Sequence, residues 1–164
     1  MRNDSDKGGE ESGRESTRKP ELGLVSGGAD PRAGESALAR EFAQRALAPI
    51  IADLRARSGR LDAARVAAAV GMTLPQFANC LELPEEALRG SPPAPELEAI
   101  LEPFVMVIGI VRDVFGGDDD RVRAWLRTPR PELEGKAPLE TMCVPSGIHR
   151  VISFVLGAWL GNAD

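Results

Sequence analysis

A chain of 164 residues, 43% of them hydrophobic, with a net charge of −5, has room for one domain or one compact unit with a tail. Aromatic residues make up only 4%, so the core must be built from Leu, Val, Ile and Ala. The negative balance excludes a protein held on nucleic acid by bulk charge, though it leaves room for a local basic face, and the longest apolar run, Phe104 to Val111, is too short to span a bilayer.

Cys80 and Cys143 form no Cys-x-x-Cys pair, which argues against zinc ribbons and thioredoxin-type sites. The stretch Met1 to Arg18 lacks the apolar core of a signal peptide. These features point to a cytoplasmic protein with reduced thiols.

Residues 1–34 are rich in Gly, Ser, Glu, Asp and Arg, with Leu22, Leu24 and Val25 as their apolar surface. Burial on that scale does not offset the entropy of ordering, so an N-terminal disordered arm is expected. Order begins near Ser36. Leu38, Phe42, Ala46, Ile50 and Leu54 recur every four residues and predict one apolar helix stripe, kinked or split at Pro49 and ended by Ser58-Gly59.

Asp62 is placed to cap a helix over Ala63–Val70, closed by Gly71. Thr73-Leu74-Pro75-Gln76 fits a capping box and starts a helix to about Leu81, with Leu74, Phe77, Ala78 and Leu81 inward. Pro84 opens a short helix, Glu85 to Arg89, closed by Gly90. Ser91-Pro92-Pro93-Ala94-Pro95 reads as a stiff connector.

A long helix from Glu96 to Phe115 carries an inward seam of Leu97, Leu101, Phe104, Ile108, Val111 and Phe115, widened by Ile100, Val105 and Val107. Asp118-Asp119-Asp120 caps the next helix, which holds Val122, Trp125 and Leu126 and stops at Thr128-Pro129. Pro138 begins a short helix ending near Met142. Ser146 caps the last, where Ile148, Val151, Ile152, Val155 and Trp159 share a face. No period-2 alternation occurs, so the fold class is all-α.

The segment Asp62 to Gly90 has the proportions of a degenerate helix-turn-helix unit, in either of two frames: the reading helix starts at Thr73, or it is Pro84 to Arg89. In the second frame Glu85 and Glu86 would face phosphate, which repels them. Arg89, Arg60 and Arg65 are the candidate DNA contacts, in a basic group that also includes Arg55 and Arg57.

Little in the chain suggests catalysis. His149 is the single histidine and has no second His, nearby Cys pair or carboxylate at ligand spacing. The three aspartates lack the calcium-loop pattern, neither Gly-Gly pair precedes a Lys-Ser/Thr, and no nucleophile elbow exists. The expectation is a protein that is not an enzyme and uses no metal or cofactor.

From roughly Leu61 to Gly161 the chain resembles the Xre/MbcA/ParS antitoxins. The resemblance rests on Trp125-Leu126-Arg127-Thr128-Pro129, then Leu133 and Gly135, then Pro138-Leu139, then Gly147 with Val151 and Val155, in close succession. It implies an order of degenerate helix-turn-helix domain (residues 35–95), long linker helix and C-terminal toxin-binding domain (residues 96–164). It also implies toxin-binding roles for Trp125, Leu126, Thr128, Pro129, Leu133, Gly135, Pro138, Leu139 and Gly147. By the same resemblance the chain neutralises a RES-type, NAD-consuming toxin by covering its active site. It would do so as a homodimer or a hetero-oligomer with the toxin, with operator DNA as a possible second partner through autorepression. The alternative is a DNA-binding transcriptional regulator of Xre type with no toxin. Gly157-Ala158 stand where relatives often carry a basic residue.

Independently of the family, Pro129, Pro131 and Pro138 stiffen the loop before any docking. Arg121, Arg123, Arg127, Arg130 and Lys136 are expected to surround it with positive charge that steers an acidic partner. Trp125 and Leu126 are expected to be buried scaffold beneath the loop Thr128–Ala137 and the last helix, which would make the contact.

Overall fold

The computed structural model describes residues 31–90 and 95–161, with side chains described from residue 37 onward. Most of the expected arm and the connector Ser91–Ala94 lie outside the described residues. The chain divides into a unit that ends at Leu38 and a unit Ala39–Asp164; the core and every contact below belong to the second.

Among the described residues there are eight α-helices and no strand: α1 (Pro31–Leu47), α2 (Ala63–Ala69), α3 (Leu74–Leu81), α4 (Glu85–Leu88), α5 (Pro95–Val114), α6 (Asp119–Arg127), α7 (Pro138–Met142) and α8 (Gly147–Gly161). Single 3₁₀ turns span Ala52–Leu54 and Pro131–Leu133. The all-α expectation is met.

Local chemistry sets most boundaries. The Asp62 carboxylate accepts from the Ala64 and Arg65 amides at the start of α2. Thr73 and Gln76 form the reciprocal capping box of α3. Asp118 accepts from the Asp120 and Arg121 amides at the start of α6. Each cap satisfies amides that the first helical turn leaves without a partner.

α5 is the central helix. It packs against α8, α2 and α6, and α7 packs on both α6 and α8. Leu97, Leu101, Phe104, Ile108 and Val111 are buried as the seam requires, joined by Val105 and Val107. Ile100 is a correction, since it is exposed. Pro103 sits inside α5 without ending it. Phe104 meets Phe77 of α3 edge to face, ring centroids 5.3 Å apart, a favoured aromatic geometry.

The first helix corrects the expected stripe. α1 begins at Pro31, four residues inside the segment assigned to the arm, and stops at Leu47, so the expected helix is split at Pro49 and not merely kinked. Leu38 and Phe42 are exposed, and the inward row is Ala39, Ala43 and Leu47. The reason is close approach. A Cβ at Gly109 of α5 would lie 3.1 Å from Leu47 Cδ1 and from Ile51 Cγ2, so glycine lets the row that contains Leu47, and not the Leu38–Phe42 row, seat against α5. Ser146 is a second correction. Its φ of 66° is left-handed, outside the extended region in which an N-cap residue sits.

The expected reduced thiols are corrected as well. Cys80 of α3 and Cys143 at the end of α7 are joined in a disulfide, with Cα atoms 4.7 Å apart. A lone pair of cysteines can form a disulfide, but 63 residues separate these two and only the tertiary fold brings α3 to α7.

Candidate protein-binding site

The loop between α6 and α7 is built to hold one shape. The Arg130 amide donates to the Lys136 carbonyl (3.0 Å), and the Leu133 and Gly135 amides donate back to the Arg130 carbonyl (3.0 and 2.9 Å). The chain turns between them through Glu134 (φ 60°) and Gly135 (φ 78°). The left-handed backbone at 135 favours glycine. Pro131 starts the 3₁₀ turn and Pro138 starts α7. Leu133 is buried and plugs the loop onto the core, while Pro129, Glu132, Gly135 and Lys136 are exposed. Such a loop has little entropy left to lose on docking.

The motif residues divide by role. Leu126, Leu133, Pro138, Leu139 and Gly147 are buried, and Thr128, Pro129 and Gly135 are exposed. The Thr128 hydroxyl donates to the Ala124 carbonyl (2.7 Å) and closes the end of α6. At Gly147 a Cβ would lie 1.8 Å from the Thr141 carbonyl oxygen, so glycine is required by the α7–α8 corner.

Trp125 corrects its assigned place. Unlike Leu126, it is half-buried rather than core. Its indole stacks with Phe154 of α8 (centroids 6.4 Å, planes 9° apart), and the Arg130 guanidinium lies 5.1 Å from the ring centroid. Trp125 and Phe154 line an apolar groove of about 140 Å³ with Val114, Phe115 and Trp159. The Trp159 Nε1–H donates to Asp113 (2.8 Å), and Phe42 packs against the Trp159 ring (6.2 Å). On the same edge of α8, one turn before Phe154, Arg150 pairs with Glu134 of the loop (2.9 Å). Loop, groove and α8 edge therefore form one continuous surface.

The expected ring of positive charge is smaller than its residue types suggest. Arg127 donates to the Gly71 carbonyl (2.6 Å) at the end of α2, and Arg123 to the Ala68 carbonyl (3.3 Å) and to Asp120 (3.1 Å). Cations at a helix C-terminus are favoured by its dipole, so these two arginines fasten α6 to α2 and the turn after it. Arg121 lies 3.6 Å from Asp118. Arg130 and Lys136 remain at the loop itself.

The candidate DNA contacts are engaged within the chain. Arg89 pairs with Glu85, Arg60 with Glu98 (3.8 Å), and Arg65 with Asp62 (3.6 Å) and the Asp53 carbonyl (2.9 Å). α4 has four residues, and Glu85 and Glu86 occupy its first turn. His149 is exposed on α8. No group of His, Cys, Asp and Glu able to hold a metal occurs among the described residues, and no described helix is long and apolar enough to cross a membrane.

Sequence reasoning missed Arg112. Its side chain is 7% exposed and lies between Asp53 and Asp119, with Nη1 at 2.7 Å and Nε at 2.8 Å from their carboxylates. The remaining bonds reach Asp53, Asp119 and the Ile50 carbonyl, so all five donors of the guanidinium are used. Burial alone would lower its pKa, but the hydrogen bonds and charges of Asp53 and Asp119 reverse this and raise it above the ordinary arginine value. The bracket ties α5 to the Ala52–Leu54 turn and the start of α6. It also floors an open concavity of about 470 Å³, to which Arg112 has no donor left to offer. The available signal was the run Asp118-Asp119-Asp120, of which the cap uses only Asp118.

Residues 111–158 match the family model for the antitoxin Xre/MbcA/ParS C-terminal toxin-binding domain. The match begins in the last turn of α5, contains the loop, and ends in α8. Helices α1 to α4 lie outside it. No curated protein matches the chain. The match supports an antitoxin role, with a toxin as the partner.

Proposed function

We propose that this chain, whose residues 111–158 carry a toxin-binding domain of the Xre/MbcA/ParS antitoxins, is a cytoplasmic antitoxin that neutralises a RES-type, NAD-consuming toxin by covering the entrance to its active site. The single observation that carries the reading is that the loop, the Trp125–Phe154 pair of the groove and the Arg150 edge of α8 are contiguous, and these residues lie within the matched segment. A prestructured loop beside an apolar groove is the arrangement an affinity anchor needs: a partner side chain enters the groove and loses water, while the polar rim sets register. Blocking access asks for no chemistry from the antitoxin.

Within this reading Trp125 and Phe154 form the anchor and Pro129, Arg130, Glu132, Gly135 and Lys136 form the rim. Leu126, Leu133, Leu139 and Gly147 hold the surface in place from beneath. Operator binding and autorepression are not part of the proposal, because Arg60, Arg65 and Arg89 are paired and the first turn of α4 is acidic.

The test is co-expression with a RES-type toxin, taken from the neighbouring reading frame where that frame encodes one. A stable purified complex and survival of cells that the toxin alone arrests are expected. A toxin that neither co-purifies nor is silenced sinks the proposal.

A further inference from the structure

We infer that Cys80 and Cys143 are a reversible thiol–disulfide site that fastens the helix-turn-helix-like unit to the corner from which the toxin-binding surface projects. Cys80 lies near the end of α3 and Cys143 directly follows α7, four residues before α8 begins. Their Cα atoms are 4.7 Å apart, within the range a disulfide spans without backbone movement. Both residues are half-buried, so thiol reagents have partial access.

Position gives the bond its consequence. α3 and α7 share little packing apart from this bond. The other polar ties between α6 and the helix-turn-helix-like unit are the Arg123 and Arg127 contacts with carbonyls of α2 and the turn after it. The disulfide is the covalent link, beside the packing of α5 on α2, the Phe77–Phe104 contact and the Arg112 bracket to Asp53 and Asp119. It acts on the α7–α8 corner, where Gly147 already leaves no spare space. A persistent bond is expected in an oxidising compartment and is uncommon in the cytoplasm; resting on the cytoplasmic location proposed above, a pair held in bonding geometry is one that opens and closes.

The chemistry balances with glutathione disulfide as oxidant. One cysteine thiolate attacks a sulfur of glutathione disulfide, giving a mixed disulfide and releasing one glutathione thiolate. The second cysteine thiolate then attacks the protein sulfur of that mixed disulfide, forming the Cys80–Cys143 bond and releasing the second glutathione. Two protein thiols are oxidised and one glutathione disulfide is reduced to two thiols.

The full chain, equilibrated at a series of glutathione to glutathione disulfide ratios, is quenched with acid, alkylated and weighed by mass spectrometry. The expected result is loss of both alkylation sites together, without added glutathione mass and without dimers. The oxidised form is expected to melt about 10 °C above the reduced form, since the bond closes a long loop. A Cys80→Ser/Cys143→Ser variant should lose this redox dependence, and if it fails to fold, the oxidised and reduced wild-type chains still decide. Four results overturn the inference: thiols that alkylate at every ratio, a bond that glutathione never opens in the native protein, bonds between chains, or equal melting of the two forms. None of these depends on whether a toxin binds.

Discussion

Gly147→Ala isolates the α7–α8 corner with a single methyl group. The added Cβ would sit 1.8 Å from the Thr141 carbonyl oxygen, 2.7 Å from Val144 Cγ2 and 2.9 Å from the Thr141 carbonyl carbon. A carbon–oxygen contact is comfortable at about 3.3 Å, so the corner must open by about 1.5 Å. The obstacle is backbone, not the flexible end of a side chain, and Thr141, Met142 and Val151 around it are buried. Overpacking of this kind costs about 3 kcal/mol, and the helix propensity gained over glycine returns at most about 1 kcal/mol. A net loss of about 2 kcal/mol should lower the urea midpoint by about 1 M, read by far-ultraviolet circular dichroism with an m-value of about 2 kcal/mol/M. Gly157→Ala, on the same helix with nothing within 4 Å of its Cβ, should leave the midpoint unchanged or raise it. Equal midpoints for Gly147→Ala and wild type would refute the view that this glycine is required by packing.

Arg112→Met should destabilise by about 2 kcal/mol, because it leaves the Ile50 carbonyl without its donor and two acidic groups without their cation; the cost falls below the usual figure for a broken buried pair since the carboxylates can regain water, and an unchanged urea midpoint would count against the bracket. The raised Arg112 pKa means that its contribution is complete below the ordinary arginine value and is lost only as pH rises through the raised one, so Arg112→Met should cost the same across the neutral range. Leu126→Ala should cost about 3 kcal/mol of stability, whereas Trp125→Ala should weaken toxin binding at least about tenfold by calorimetry; a tight complex with Trp125→Ala removes the groove from the interface. Lys136→Glu should leave thermal melting unaltered and change the association rate and its salt dependence in surface plasmon resonance, and identical kinetics would place Lys136 outside the rim.

The sequence by itself determined the elements whose signals are local. The caps at Asp62, Thr73 and Asp118, the prolines that start α7 and stop α1, and the seam of α5 all act within a few residues of their own position. The Trp125–Leu139 motif is equally local, which is why the resemblance and the matched segment converge on it. What needed the tertiary structure is what depends on distance across the fold. The inward row of α1 falls one residue after Leu38 and Phe42, on Ala39, Ala43 and Leu47, because Leu47 is the side chain that meets Gly109 of α5. Arg123 and Arg127 resemble steering charges until α2 presents carbonyls to them. Arg112 resembles a helix-end cation until Asp53, 59 residues away in sequence, meets it. Cys80 and Cys143 resemble two free thiols until α3 and α7 meet. Periodicity reports which residues turn to one side of a helix; which neighbour waits there, and how close it comes, is fixed only when the whole chain packs.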